Sequence, residues 1–337
     1  MTSVSIIIKA LNEEAKIAGA IESALAAVAA VGGEVILADG LSEDRTVEIA
    51  RRYPVTIAQL ERSADRCCGS GPQLGFQHAR AEFVYLMDGD MELRPGFLEA
   101  ALPHFAAEPD LAAVGGVVED TDGSGIEYRA RRARQKAEDK PGYVGHLNCG
   151  GLYRAQAIRE VGYFSNRNLH SYEEFELGVR LRAAGWKLKR IDRTSVLHHV
   201  HTLAPVAYLA RRWRDRFGFG SGELLRSALG KRYLPAVAKE LMYLFRIAAW
   251  MAALAAVLFA PMSINARLTI FAALLAAPIL AVSVRRKSLR IGLYTTPALC
   301  LTVVAGIRGA LRPQVDPRTP IDNRILQQGT WLARGSS

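Results

Sequence analysis

Residues 85–93 read YLMDGDMEL, a run that starts apolar and ends with three acids in five positions, Asp88, Asp90 and Glu92. Carboxylates this close repel one another unless a cation or strong hydrogen-bond donors sit among them. The stretch leading into them, AEFVYLMD, has the continuous apolar character of a buried strand. Outward from it the pattern repeats. VSIII at residues 4–8, GEVILADG ending in Asp39, and VTIAQL all read as strands, while residues 15–30, 44–53 and 72–81 read as helices. Strands alternating with helices predict an α/β fold, a Rossmann-like and mostly parallel sheet with helices on both faces. Ligands of such sheets bind beyond the carboxyl ends of the strands. Asn12, Asp39 and Asp88 each stand where an apolar strand ends, so one crevice is expected to gather them.

Past residue 110 the alternation loosens. LAAVGGVVED reads as a strand and RARRARQKAE, residues 129–138, as a charged helix with a solvated face. A glycine-rich turn and short helix follow in GHLNCGGLYRAQAIREVGYF, and YEEFELGVRLRAAGWKLKRI predicts a helix over residues 175–184, stopped by Gly185 ahead of another strand.

Composition narrows the class. The 337-residue chain is half hydrophobic and carries a net charge of +10, which suits nucleic acid, an anionic membrane surface or a phosphate-bearing substrate alike. Its four cysteines have neither CxxC spacing nor the density of a secreted scaffold; a reducing compartment and no structural disulfide are expected. The first apolar run is much shorter than a signal-peptide core, so the chain is expected to begin folded and cytoplasmic.

Composition changes near residue 235. Residues 237–262 and 268–284 are apolar runs long enough, or nearly so, to span a bilayer, and residues 291–307 are a third candidate softened by Pro297 and Gly306. The basic RRKSLR at residues 285–290 predicts a cytoplasmic link, hence a cytoplasmic α/β domain followed by a membrane hairpin in a cytoplasmic (inner) membrane. A third crossing would put Arg308, Arg312 and Arg318 outside, against that rule, so both two and three spans stay open, beside a buried soluble hairpin. Residues 205–225 mix Tyr208, Trp213, Phe217 and Phe219 with Arg211, Arg212, Arg214 and Arg216, the composition of a helix lying among lipid headgroups. With apolar spans adjacent, a nucleic-acid partner is not expected. The expected divisions are an α/β domain over residues 1–203, an interfacial region to 234, a membrane segment over 235–310 and a tail to 337.

Asp88 and Asp90 at the mouth of an α/β sheet suit a hard divalent cation, Mg²⁺ or Mn²⁺, bridging to a diphosphate. An isolated Asp-x-Asp occurs often by chance and is usually a solvated turn. Taken with VSIIIKALNEE, VILADGLSEDRT, GGLYRAQAIREVGYF and YEEFELGVRLRAAGW, however, YLMDGDMEL resembles family 2 glycosyltransferases, the inverting, nucleotide-sugar-dependent group with the GT-A fold. The resemblance covers roughly residues 3–200.

The resemblance implies that the turn formed by Ala10, Asn12 and Glu13 cradles the base and ribose, and that Asp39 bonds one of them. It implies metal and diphosphate roles for Asp88 and Asp90. Glu92 stands where some polyprenyl-phosphate sugar transferases supply a further ligand, the alternative being a surface acid. Glu174 falls at the position of the family's catalytic base, with Glu173 just before it; which of the two reaches the acceptor is open, and the motif context favours catalysis over the alternative of two helix-start acids placed by the macrodipole. A histidine completing the metal shell is implied within LHHVHT, His199 or His201, with polar edge residues as the alternative.

RCCGSGPQLGFQHA departs from the family's Arg-Asn-x-Gly, keeping Arg66 as a donor contact and losing the asparagine. Leu209 replaces the glutamine of processive synthases, which implies single-sugar transfer. The expectation is a metal-dependent glycosyltransferase using a nucleotide-diphosphate sugar, UDP-linked, and a lipid-linked or membrane-proximal acceptor in polysaccharide synthesis. A polyprenyl-phosphate sugar transferase and a non-catalytic nucleotide-sugar-binding scaffold are the alternatives.

Overall fold

A computed structural model describes residues 3–121, 140–148, 150–200 and 205–335 of the chain. The helix expected over residues 129–138, Cys149 and His201 lie outside the described residues. The chain divides into two compact units, one of residues 1–204 with 314–337 and one of residues 205–313.

The first unit is built on a ten-stranded sheet. Its centre is β1 (Val4–Ala10), flanked in parallel by β2 (Gly33–Asp39) and β4 (Phe83–Asp88), with β3 (Thr56–Leu60) parallel beyond β2. The far half is mixed: β8 (Gly151–Arg154) runs antiparallel to β4 and β6 (Leu111–Asp120), and β9 (Lys187–His198) runs parallel to β6 and antiparallel to β5 (Met91–Leu93) and β7 (Gly142–Tyr143). The sheet is therefore mixed, with its parallel part confined to β3, β2, β1 and β4 and the β6/β9 pair.

Why β1 is central follows from its side chains. Successive strand residues face opposite sides, and Ile6, Ile7 and Ile8 are all fully buried. Ile6 and Ile8 join Ile17, Ala20, Ile21 and Val28 of α1 (Ile17–Val31), whereas Ile7 joins Leu74 of α3 (Ser70–His78) on the other face. Each such side chain contributes about 1.5–3 kcal/mol of burial. The 44–53 helix of the sequence shrinks to α2 (Thr46–Ala50), and α4 (Phe97–Ala107), α5 (Ala155–Glu160) and α6 (Glu173–Ala183) complete the unit.

Residues 314–337 are part of this unit. Their strand β10 (Asn323–Gln327) pairs antiparallel with β3 at the sheet edge, and Leu332 and Gly33 exchange two backbone hydrogen bonds of 2.7 and 2.9 Å.

The second unit is helical: α7 (Pro205–Arg214), α8 (Gly220–Ala228), α9 (Leu234–Glu240), α10 (Met242–Phe259), α11 (Ile264–Arg286) and α12 (Leu289–Leu311). The last three are long and apolar enough to span a membrane. The first apolar run of the sequence is broken at Leu241, so its crossing-length part starts at Met242.

Candidate active site

Strand register assembles the crevice. Ala10 lies opposite Asp39 and Lys9 opposite Asp88, so the carboxyl ends of β1, β2 and β4 bring Lys9, Ala10, Asp39 and Asp88 into one row. The chain turns sharply after β1 because Asn12 takes a left-handed conformation, φ 58°, which asparagine tolerates better than most residues. This turn is stitched to the loop after β2: Asn12 N–H donates to Ser42 Oγ at 2.9 Å, Asn12 Oδ1 accepts from Glu43 N–H at 2.8 Å, and Glu13 N–H donates to Thr46 Oγ1 at 2.8 Å.

Asp39 is fully buried. Its Oδ2 accepts from the N–H groups of Leu41 and Ser42, both at 3.1 Å, and from Gln59 Nε2 at 2.8 Å. Its Oδ1 has no hydrogen-bond partner among the described residues, leaving one acceptor for a donor group of a ligand. Arg66 holds the same loop from outside, donating to the carbonyls of Gly40 and Leu41 at 2.8 Å each.

Across the crevice the carboxylates converge on one cation. Lys9 Nζ lies 3.1 Å from Asp88 Oδ1 and 3.2 Å from Glu173 Oε1. Burial opposes the lysine's charge, but Asp88 and Glu173 outweigh it and hold its pKa well above the usual value. The Asp88 pKa is raised by burial, against the pull of Lys9 and with added repulsion from Asp90. Glu174, at the start of α6, accepts from Gly150 N–H at 2.9 Å, and burial pushes its pKa up to about 7, with Lys9 opposing and Glu173 adding to the rise. Gly150 sits at φ +94°, a conformation that turns its N–H toward Glu174 at little cost only in glycine.

Asp90 is turned toward β9. His198 Nε2 lies 3.4 Å from Asp90 Oδ2, and His198 Nδ1 lies 2.8 Å from Asp120 Oδ1. Glu92 and His199 form a separate pair, His199 Nε2 to Glu92 Oε1 at 2.7 Å, with the Glu92 side chain against Gly19 of α1. The crevice thus brings together Ala10, Asn12, Glu13 and Asp39 on one side and Asp88, Asp90, Glu173 and Glu174 on the other; Glu92 and His199 engage each other apart from Asp88. Three residues were not singled out by sequence reasoning. Lys9 carried a signal, a lone cation at the end of a buried strand, whereas His198 and Asp120 depend on register, since Asp120 lies opposite His198 between β6 and β9.

Asp88, Glu173 and Glu174 around one lysine ammonium leave this side of the crevice with more carboxylates than cations. Asp88 and Asp90 offer hard oxygen donors, which fits Mg²⁺ or Mn²⁺ bound through one or two carboxylates with phosphate oxygens and water completing the shell. Among the described residues no cluster of three or more such side chains that could hold a metal ion is present.

Residues 5–162 match Glycosyl transferase family 2. They form a family 2 glycosyl transferase domain. The chain is 27% identical over 228 residues to the N-acetylglucosaminyl-diphospho-decaprenol L-rhamnosyltransferase of Mycobacterium tuberculosis, covering 55% of this chain and 73% of that protein. Similarity to the succinoglycan biosynthesis protein ExoA of Rhizobium meliloti is 26% over 254 residues, 71% of this chain and 74% of that protein. Among solved structures, the mannosyltransferase PcManGT from Pyrobaculum calidifontis, in complex with GDP-Man and Mn²⁺, superposes with a TM-score of 0.57 at 19% identity over 90% of this chain and 86% of its own. The family 2 domain therefore has the GT-A fold, with Asp39 and Asp88 at the ends of its parallel strands.

Proposed function

We propose that the protein is a membrane-attached inverting glycosyltransferase moving one sugar from a nucleotide-diphosphate donor, UDP-linked, to a hydroxyl of a lipid-linked acceptor. The observation that carries this reading is the placement of Glu174, which lies at the start of α6 beside the Lys9, Asp88 and Glu173 group and accepts from Gly150 N–H, with burial pushing its pKa up to about 7. A general base works best with a pKa near the operating pH. Glu174 is favoured over Glu173 because the Glu173 carboxylate is engaged by Lys9.

In this reading the Asn12–Glu13 turn and Asp39 hold the nucleoside, with the second oxygen of Asp39 accepting from a base N–H or ribose hydroxyl. Asp88 and Asp90 hold the divalent cation, with His198 beside Asp90 in place of His199. When bound, the metal neutralises charge on the departing diphosphate. Glu174 takes the proton of the acceptor hydroxyl as that oxygen bonds to the anomeric carbon and the donor's bond to diphosphate breaks, with inversion. Lys9 pairs with Glu173 and Asp88 and lowers the Glu174 pKa toward neutrality.

A hydroxyl acceptor is supported over the phosphate acceptor of a polyprenyl-phosphate sugar transferase by two points. A phosphate is already anionic and needs no base, and the rhamnosyltransferase relative is named for an acceptor that is itself a sugar on a decaprenyl diphosphate. The test is a screen of nucleotide sugars with the purified full chain in detergent, with Mn²⁺ or Mg²⁺ and a lipid extract. Metal-dependent release of nucleoside diphosphate from one donor, lost in Asp90→Ala, is expected. Donor binding without turnover under every condition would point to a scaffold and overturn the proposal.

A further inference from the structure

The chain leaves the mixed-sheet unit after Ala204 and re-enters it at Gln314. The return is firmly built in. β10 pairs with β3 through Asn323↔Leu60, Arg324↔Gln59 and Ile325↔Ala58. Ile321 is buried, and Arg167 donates to the carbonyls of Thr319 and Pro320 at 3.0 and 2.8 Å while pairing with Asp65 at 2.9 Å. A folded body cannot be divided by a bilayer, because the strand pairing of β10 and β3 would have to run through hydrocarbon. Residues 205–313 must therefore cross an even number of times, yet they hold three helices of crossing length. One of the three does not cross.

Charge selects which. Arg285, Arg286, Lys287 and Arg290 lie in and around the link between α11 and α12, whereas the α10–α11 link, residues 260–263, carries no charged side chain. Basic links stay on the side from which a chain inserts, so the uncharged link is the one translocated. α12 then starts on the near side, and its end leads through Arg312 and Pro313 back into the mixed-sheet unit.

α11 buries none of its residues inside the protein and α10 only Leu244, whereas α12 buries Gly292, Thr296, Val303, Ala305, Gly306 and Gly309. The start of α12 lies against the end of α11, where a side chain at Gly292 would run into Ser283 and the Ile279 carbonyl; its C-terminal part packs elsewhere. At Gly309 a side chain would run into the backbone of Phe219, and at Gly222 of α8 it would run into the backbone of Gly306. The C-terminal part of α12 is thus packed closely on residues that precede the first crossing, which belong to the near side.

We propose that α10 and α11 form a single transmembrane hairpin, and that α12 lies along the membrane surface on the side of the mixed-sheet unit. Its partner there is lipid, met by the exposed Leu289, Leu293, Leu301, Val304, Ile307 and Leu311. This rests on the membrane-attached reading given above.

The test places single cysteines at Arg51, Met262, Ser288 and Arg334 in the full chain with its native cysteines changed to serine. Membranes are first extracted with alkaline carbonate, then sealed vesicles are labelled with a membrane-impermeant maleimide before and after permeabilisation. Resistance to carbonate, with Met262→Cys labelled from one face and Arg51→Cys, Ser288→Cys and Arg334→Cys from the other, is the expected result. Arg51→Cys and Arg334→Cys on opposite faces would mean an odd number of crossings. Ser288→Cys alone on the far face would make α11 and α12 the hairpin. Either pattern overturns the proposal while membrane attachment stands, whereas release by carbonate would overturn the attachment itself. The natural chain with a C-terminal epitope, treated with protease in the same sealed vesicles, gives a reading independent of the cysteine replacements. The epitope must share the protection or exposure of residues 1–204; a different fate for the two sinks the topology.

Discussion

On the β2 side of the crevice, Asp39 already accepts three hydrogen bonds and the turns carrying Asn12 and Ser42 are laced together. On the β4 side, Asp88, Glu173 and Glu174 surround Lys9, and burial lifts the pKa of both Asp88 and Glu174. The first half is preorganised and close to satisfied before any ligand arrives. The second holds more negative charge than its own cation balances, so a ligand bringing positive charge would relieve it. Under the proposed function, the preorganised half would hold the nucleoside rigidly and the half under electrostatic tension would carry the reacting groups, which must change protonation state during turnover.

The largest expected effect lies on the tense side. Glu174→Gln should lower kcat by about 10²–10⁴-fold with donor affinity little changed, measured by steady-state transfer and by donor titration. In the wild type, kcat/KM should climb with pH and level off above about 7, because the base works only when ionised. Stability runs the other way. The folded pKa of Glu174 exceeds the usual 4.5, so the folded state binds this proton more tightly than the unfolded state between pH 4.5 and about 7. Its contribution is favourable at acid pH and is lost as pH rises through about 7. Glu174→Gln should therefore melt higher than the wild type at pH 8, by roughly 2–4 °C for ~1 kcal/mol, with the gap closing at pH 5. An unchanged melting temperature at both pH values would remove the tension from the comparison.

Lys9→Met comes next. It strips the shared cation from Asp88 and Glu173, and the pH profile should shift upward because Lys9 is what lowers the Glu174 pKa. A loss of about 1–2 kcal/mol in stability is expected, less than for a fully buried pair because Asp88 is partly exposed. A profile that stays in place would break the link between Lys9 and the base. On the preorganised side, Asp39→Asn should raise the donor KM about tenfold, ~1.4 kcal/mol, and leave kcat nearly intact. A fall in kcat with KM unchanged would mean that the two halves are not separate in function. Glu92→Gln should matter least, under about threefold in any parameter, since an exposed pair contributes at most ~1 kcal/mol. A large loss of metal-dependent activity would return Glu92 to the metal site.

Much of this contrast could be read in the sequence. β1, β2 and β4 are continuous apolar runs ending in polar residues, so Asp39 and Asp88 announce themselves wherever a parallel sheet is inferred. Lys9 was harder to see, because its importance comes from Glu173, 164 residues away, arriving within 3.2 Å. The histidines illustrate a different limit. Adjacent strand residues face opposite sides, so choosing between His198 and His199 requires the register of β9 against β6 and β5, which no local pattern encodes. β10 was invisible for a related reason: NRILQ is short and lies on an edge, and its partner β3 is separated from it by most of the chain.

That last strand bears on how the protein is made. Translation must finish every membrane-directed helix before β10 exists, so β3 waits with an unpaired edge through most of synthesis. Exposed edges invite pairing with other chains. A ribosome that stalls within the apolar segment would leave a domain whose crevice residues are all present but whose sheet is open on one side. The sheet edge at β3 can thus be closed only after all three long apolar helices have been synthesised.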